Sequence, residues 1–264
     1  MIRVEDLRVT FNAGTIMETR ALQGMSVEIG AGEFVTVIGS NGAGKTTLLN
    51  CLTGEVPLSS GRIVIDGTDV TAWPAPRRAA LVARVFQDPL AGTCEDLTIE
   101  ENLALATARG TARGLDKALT GARRDEFRHK ISRLGLNLEN RLGDRMGLLS
   151  GGQRQAVSLV MATLRPTKIL LLDEHTAALD PRMQAFVLDL TRDLVEAENL
   201  TTLMVTHSMR QALSLGSRSL MLHEGRVVLD VTGDERARLG VGDLMALFAK
   251  VRGEELDSDS LLLS

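Results

Sequence analysis

Gly39-Ser40-Asn41-Gly42-Ala43-Gly44-Lys45-Thr46 matches the pattern GxxxxGK[ST] without a substitution. Upstream, residues 34–38 (Phe-Val-Thr-Val-Ile) form a compact β-branched run that stops at Gly39, as a buried strand feeding a glycine loop does. Downstream, residues 46–52 read as a helix. Strand, glycine loop and helix are the context the motif needs. The glycines let successive backbone N–H groups curl around phosphate oxygens. The helix start adds the positive end of its dipole. Lys45 then reaches the terminal phosphates and the Thr46 hydroxyl serves Mg²⁺. All eight residues, with Thr47 after them, are assigned to a nucleotide site. An empty glycine turn would need neither the lysine nor these flanks. The motif specifies a nucleoside triphosphate, not a particular enzyme.

Ile169-Leu170-Leu171-Leu172-Asp173-Glu174 is a second buried strand, ending in two acids. In open α/β sheets, ligands bind at the carboxyl ends of strands. Asp173 suits Mg²⁺, directly or through water. Glu174, one residue on, is placed to polarise the water that attacks the γ-phosphate. Alone, such a strand is often only a strand with solvated acids; the phosphate loop upstream changes the balance.

Leu149-Ser150-Gly151-Gly152-Gln153 lies between these motifs and opens a helix. Ser150 is a good N-cap, and the glycines leave N–H groups bare at the positive helix end. That is a second anion site in a chain that already has one. The economical reading is that it closes over the nucleotide of another copy.

Further out, the chain alternates strands and helices, which implies a mainly parallel sheet with covered faces. Strands are expected at residues 2–9, more loosely at 22–29, and at 61–67 before an Asp66-Gly67 turn, at 168–174 and at 201–207. Residues 220–222 and 226–229 flank Glu224-Gly225 as a hairpin. Between Asp88 and Pro166 the pattern is helical, around 99–108, 124–134 and 150–164. Further helices are expected at 181–197 and at 241–251, the latter with Leu244, Leu247, Phe248 and Val251 on one face. The acidic, Ser-rich tail after Gly253 reads as mobile.

Composition sets bounds. Hydrophobic residues at 44% and charged residues at 24% suit a globular protein with a sizeable core. The net charge of −4 argues against nucleic acid as the main partner. Cys51 and Cys94 lie far apart in no metal-like spacing and read as reduced thiols, Cys51 buried. No apolar run reaches about 18 residues, so a membrane role requires a partner.

Together these motifs resemble the ATP-binding subunits of ABC transporters, over about residues 3–230. The resemblance implies an α/β fold: a RecA-like P-loop NTPase core with an antiparallel β-subdomain and an inserted helical subdomain. The expected division is 1–87 and 166–240 for the core, 88–165 for the helical part and 241–264 for a C-terminal helix and tail. It implies that Gln87, in Arg84-Val85-Phe86-Gln87-Asp88-Pro89, is the Q-loop residue that bonds Mg²⁺ and the attacking water. Ser150, Gly151, Gly152 and Gln153 belong to the family signature. Ala178-Leu179-Asp180 matches the D-loop, with Asp180 at a dimer interface, and His207 matches the switch histidine at the γ-phosphate. The family stacks an aromatic on adenine; this chain has no tyrosine, and Phe11 takes the role because Phe34 sits in a buried strand. The catalytic residues implied are Glu174, His207 and Gln87, and the metal residues Thr46, Gln87 and Asp173. ATP and Mg²⁺ are the implied cofactors. The implied partners are a second copy of the chain, integral membrane permease subunits and an extracytoplasmic substrate-binding protein, at the cytoplasmic face of the inner membrane.

His175 stands where many relatives carry proline. It reads as a spacer; a cationic His175 would lower the pKa of Glu174. The local variant is similar to bacterial importer subunits for amino-acid uptake, with sugars and other small solutes left open. Exporters and lipid-extraction systems use the same motor and stay open. Soluble ABC ATPases of repair or translation fit poorly, with one cassette and no heptad run here, as do P-loop kinases and GTPases, which have no use for residues 149–153. Residues 109–130 hold seven basic side chains against three acidic ones and read as a solvated helix face, or one that touches lipid head groups. His129 and His223 are expected to be exposed and isolated, Trp73 to lie in a proline-rich loop, and the surface at 88–101 to meet the permease.

Overall fold

The computed structural model describes residues 1–111 and 117–252, without the side chains of residues 251 and 252. In chain order the elements are β1 (Ile2–Phe11), β2 (Thr19–Ile29), β3 (Phe34–Gly39), α1 (Lys45–Thr53), β4 (Ser60–Ile65), β5 (Thr68–Asp69), α2 (Ala75–Arg78) and β6 (Val82–Val85). There follow α3 (Ile99–Thr107), α4 (Gly121–Ser132), α5 (Gly151–Thr163), β7 (Ile169–Asp173) and α6 (Pro181–Ala197). The chain ends with β8 (Thr201–Val205), α7 (Met209–Ser214), β9 (Arg218–His223), β10 (Arg226–Thr232), α8 (Gly233–Arg238) and α9 (Val241–Arg252). They fall into two compact units, one of Met1–Arg78 with the chain from Leu200 onward, the other Ala79–Asn199.

The first unit holds two sheets. In the smaller, β1 pairs antiparallel with β2 and β4, and β5 extends it in the order β2-β1-β4-β5. Ile2, Val4, Leu7 and Val9 are its buried positions. The alternation slips by one between Val4 and Leu7, where the register shifts and Asp6 adopts φ 44°, a bulge that keeps both ends of the strand facing the core. In the other, β3 runs parallel to β8 on one side and β9 on the other, and β9 turns back on β10. The turn is Glu224-Gly225, with φ 46° and 72°, the paired positive angles of a tight hairpin turn; Asp66-Gly67 repeats it at 49° and 76°.

Thr36 is the one polar side chain in β3. Its hydroxyl is satisfied by the Ala212 carbonyl and the Ser219 hydroxyl at 3.0 and 2.9 Å, so the strand stays buried without an orphaned group. Phe34 is buried, as expected. Helix α9 packs Val241, Leu244, Met245 and Phe248 around Ile38, Met209 and Met221. Leu247, expected on that face, is only half-buried: at 100° per residue the stripe 241-244-245-248 is centred on the other side of Leu244. The Val251 side chain lies outside the described residues.

The second unit pairs β6 with β7 in parallel, from Val82↔Ile169 to Val85↔Leu172. Its helices enclose a cluster that includes Leu103 of α3, Phe127 and Ile131 of α4, and Val157 of α5. Thr98 begins α3 with a capping box closed by Glu101. The helical segment 88–165 lies inside this unit, which also holds the β6–β7 pair and α6. Five elements were not anticipated: β5, β6, α2, α7 and α8. Each has two to six residues, too few to display a period.

Of the basic residues at 109–130, Arg123, Arg124 and Arg128 lie on the solvated side of α4, as expected, with Arg124 paired to Glu100; Arg109 instead turns inward and donates to the Ala162 carbonyl at 3.0 Å, and residues 112–116 are outside the described part. His129 is exposed, but His223 is half-buried with its ring edge-on to Phe248. Cys51 is buried, and burial pushes its thiol up to about 12. Trp73 carries the Arg77 guanidinium over its ring at 3.7 Å from the centroid.

Candidate functional site

The first unit supplies the phosphate loop. Gly39, Gly42 and Gly44 all have positive φ, and Gly44 at 97° is also the left-handed N-cap of α1. Glycine is required at position 44, because a Cβ there would stand 2.7 Å from the Ala21 carbonyl oxygen. The loop thereby rests against β2. Its other side is held by the β9–β10 turn, where Gly225 N donates to Ala43 O at 3.1 Å. A Cβ at Gly42 would meet nothing within 4 Å, so the loop's outer side is open. Lys45 folds back over this cradle and donates to Gly39 O at 2.7 Å and Ser40 O at 3.1 Å. A phosphate entering the loop competes with those two carbonyls for the ammonium. Asn41 and Thr46 are exposed, and Thr47 is half-buried.

Phe11 ends β1 with 40% of its surface exposed. It is therefore not part of the small sheet's core. His207 follows β8 and is exposed.

The second unit supplies the acids. Asp173 ends β7 almost fully buried, and Arg84 of β6 donates to its Oδ2 at 2.6 Å. Glu174 has φ 45°, a left-handed conformation that is costly for a side chain of this length and that gathers at functional positions. His175 corrects an expectation. Its ring is sealed from solvent, and burial pushes its pKa down to about 4, so it is neutral and exerts no cationic pull on Glu174. The Thr191 hydroxyl donates to Val187 O at 2.7 Å. It therefore accepts from His175 Nε2 at 3.0 Å, and Nδ1 is the bare nitrogen, without a partner among the described residues.

Ser150 caps α5 as anticipated. Its hydroxyl accepts from Gln153 N, while Gln153 Oε1 accepts from Ser150 N at 3.1 Å. The two glycines differ. Gly151 is exposed, with only Leu179 Cδ2 at 4.0 Å from a Cβ, whereas Gly152 is buried and a Cβ would strike Met183 at 2.7 Å. Asp180 caps α6, accepting from Arg182 N and Met183 N at 3.1 Å each, with Pro181 at the first helical position. Gln87 is exposed after β6. The preceding carbonyl, of Phe86, accepts from Gln155 Nε2 of α5 at 3.1 Å, so the signature helix and the Gln87 segment are bonded to each other. Arg84, Gln155 and Thr191 were not read from the sequence. Arg84 gave no signal because its four-residue strand is too short to show a period, and its partner lies 89 residues away.

The donor set fits Mg²⁺. Among the described residues there is no group of three His, Cys, Asp or Glu able to hold a metal by itself. The first unit offers the Thr46 hydroxyl and the second the Gln87 carboxamide and the Asp173 carboxylate, oxygen donors of the kind this ion accepts beside phosphates and water.

A strand, an anion-cradling loop with its lysine, and a strand-end acid pair define a P-loop nucleoside triphosphatase. The ABC transporter family model matches residues 22–177. The chain is 43% identical over 248 residues to a tyrosine transport ATP-binding protein of Clostridioides difficile, covering 94% of this chain and 98% of that one. It is 36% identical over 203 residues to the thiamine import ATP-binding protein ThiQ of Shigella flexneri, covering 76% and 82%. Among solved structures, the cassette MJ0796, dimeric and bound to ADP and Pi in a post-hydrolysis state, superposes with a TM-score of 0.75 at 26% identity, over 88% of this chain and 98% of that one. The ADP conformation of the cassette MJ1267 gives 0.78 at 23% identity, over 97% and 99%. The chain belongs to the ABC transporter ATP-binding family and is an ATPase. No helix among the described residues is long and apolar enough to cross a membrane.

Proposed function

We propose that two copies of this chain sandwich two ATP molecules head to tail and so drive amino-acid import through separate membrane permease subunits. The observation that carries the sandwich is the N-terminus of α5. Ser150 and Gly151 are exposed on a capped 13-residue helix, an anion site additional to the phosphate loop. MJ0796, which this fold resembles, is a dimer in its own structure.

In each site Lys45 exchanges Gly39 O and Ser40 O for phosphate oxygens. Thr46, Gln87 and Asp173 would hold a magnesium ion, which when bound would neutralise phosphate charge. Glu174 accepts a proton from water as its oxygen bonds to the γ-phosphorus; the bridging P–O bond breaks and ADP keeps the electron pair. His207 steadies that water and the γ-phosphate. Ser150, Gly151, Gly152 and Gln153 come from the partner copy, Asp180 lines the interface, and Phe11 stacks on adenine.

Hydrolysis separates the copies, and the 88–101 surface passes the movement on. Leu90, Ala91 and Gly92 are exposed there, as the centre of a docking groove should be. An extracytoplasmic binding protein would deliver the solute. The 43% relative named for tyrosine transport, matched nearly end to end, favours an amino acid over thiamine.

The test is Glu174→Gln in the assembled transporter. ATP binding should persist, turnover should fall by about 10²–10⁴-fold, and an ATP-bound dimer should accumulate. Near-normal hydrolysis would remove Glu174 from its role.

A further inference from the structure

Asp173 is already held by a cation. Arg84 Nη2 lies 2.6 Å from its Oδ2, and the two side chains are only 8% and 11% exposed. The register explains the contact. Arg84 stands opposite Leu171, so Asp173 is its diagonal neighbour on the same face of the β6–β7 pair. The guanidinium has a second hold, on the Phe86 ring at 4.7 Å. Phe86 directly precedes Gln87, and its carbonyl is fastened to Gln155. One arginine thus links the metal-site acid to the segment that ends in Gln87.

We infer that Arg84 is the resting-state counter-ion of Asp173, a positioning residue that a divalent cation must compete with, so that metal loading is felt at Phe86 and Gln87. This rests on the reading of Asp173 as a magnesium residue. Two effects oppose each other. A second partner can orient a ligand, and losing it typically weakens metal binding by about 10–100-fold. A fixed positive charge within one side-chain length of a dication repels it. In a site this dry, the repulsion is the larger effect. Arg84 therefore lowers metal affinity, and when the carboxylate turns to the metal the guanidinium keeps its place on the Phe86 ring. A buried acid left without its cation is costly, which gives the arginine a role in the nucleotide-free protein as well.

The experiment measures Mn²⁺ affinity by electron paramagnetic resonance, on full-length protein saturated with ATP and carrying Glu174→Gln to prevent turnover. Arg84→Met should bind Mn²⁺ about tenfold or more tightly than the parent. Arg84→Gln, neutral but still able to donate to Oδ2, should do the same, and it serves in place of Arg84→Met if that variant does not fold. Arg84→Lys, which restores the charge, should return the affinity to within about threefold of the parent. A merely structural role predicts no such split between neutral and charged replacements. Unchanged or weaker Mn²⁺ binding in the neutral variants overturns the inference. Asp173→Asn is the control: if it leaves Mn²⁺ binding untouched, the assignment of Asp173 to the metal is what has failed. If it weakens binding while the neutral Arg84 variants match the parent, only the role of Arg84 falls.

Discussion

The imidazole of His175 donates from Nε2 to the Thr191 hydroxyl across 3.0 Å, both groups sealed from solvent, one residue beyond the proposed catalytic Glu174. Its pKa of about 4 lies below the ordinary 6.5 because burial penalises the charged ring. Between those values the unfolded chain holds a proton that the folded one does not, so stability is complete above pH 6.5 and declines as pH falls toward 4. The decline should be on the order of 3 kcal/mol. Urea unfolding at pH 7 and pH 5, without nucleotide or magnesium, checks it. His175→Gln, which cannot titrate, should lose clearly less stability over that interval than the parent; equal losses would show that the ring is not buried neutral.

Phe11 offers an exposed ring at the end of β1. Base–aromatic stacking is worth roughly 1–3 kcal/mol. Phe11→Ala should weaken ATP binding by up to about a hundredfold with little change in thermal stability, and Phe11→Tyr should bind like the parent. Calorimetry decides; undiminished binding by the alanine variant would mean that another surface holds the base.

Gly151 is the better probe of action in trans. At Gly152 any side chain meets Met183 within its own unit, so a loss there would mix packing with function. At Gly151 the space is open, and an aspartate in the first turn favours the helix dipole. Gly151→Asp should therefore fold and bind ATP, yet fail to form ATP-driven dimers, because its carboxylate repels the partner's γ-phosphate. Mixed with Lys45→Ala, it should regain part of the ATPase activity, since both defects then fall on one composite site. Dimers of Gly151→Asp alone, seen by light scattering, would count against the sandwich.

Leu90, 42% exposed in the segment after Gln87, is the residue to charge on the surface proposed to meet the permease. Leu97 is less suitable, since it is half-buried and its carbonyl accepts from Met146 N and Asn102 Nδ2. Leu90→Asp should keep ATP affinity and thermal stability while the subunit is lost from membranes that contain its permease. A folded variant that still co-sediments with those membranes would place the docking surface elsewhere.

Much of this molecule could be read before any coordinates. The phosphate loop, the signature helix with its Ser150 cap, the two acids at the end of β7, helix α6 and the Asp66-Gly67 and Glu224-Gly225 turns are local matters. Each is decided by side chains within a few positions of one another, through capping, periodicity and the φ values glycine permits. What the tertiary structure decided are the meetings of distant residues. His175 reads as a spacer until Thr191 and burial make it neutral. Arg84 reads as a charge within an unrecognised strand until the β6–β7 register sets it against Asp173. Gly151 and Gly152 are alike in sequence and differ only because Met183 packs on one of them. Burial and cross-strand register sum over elements far apart in the chain, and no window of sequence contains them.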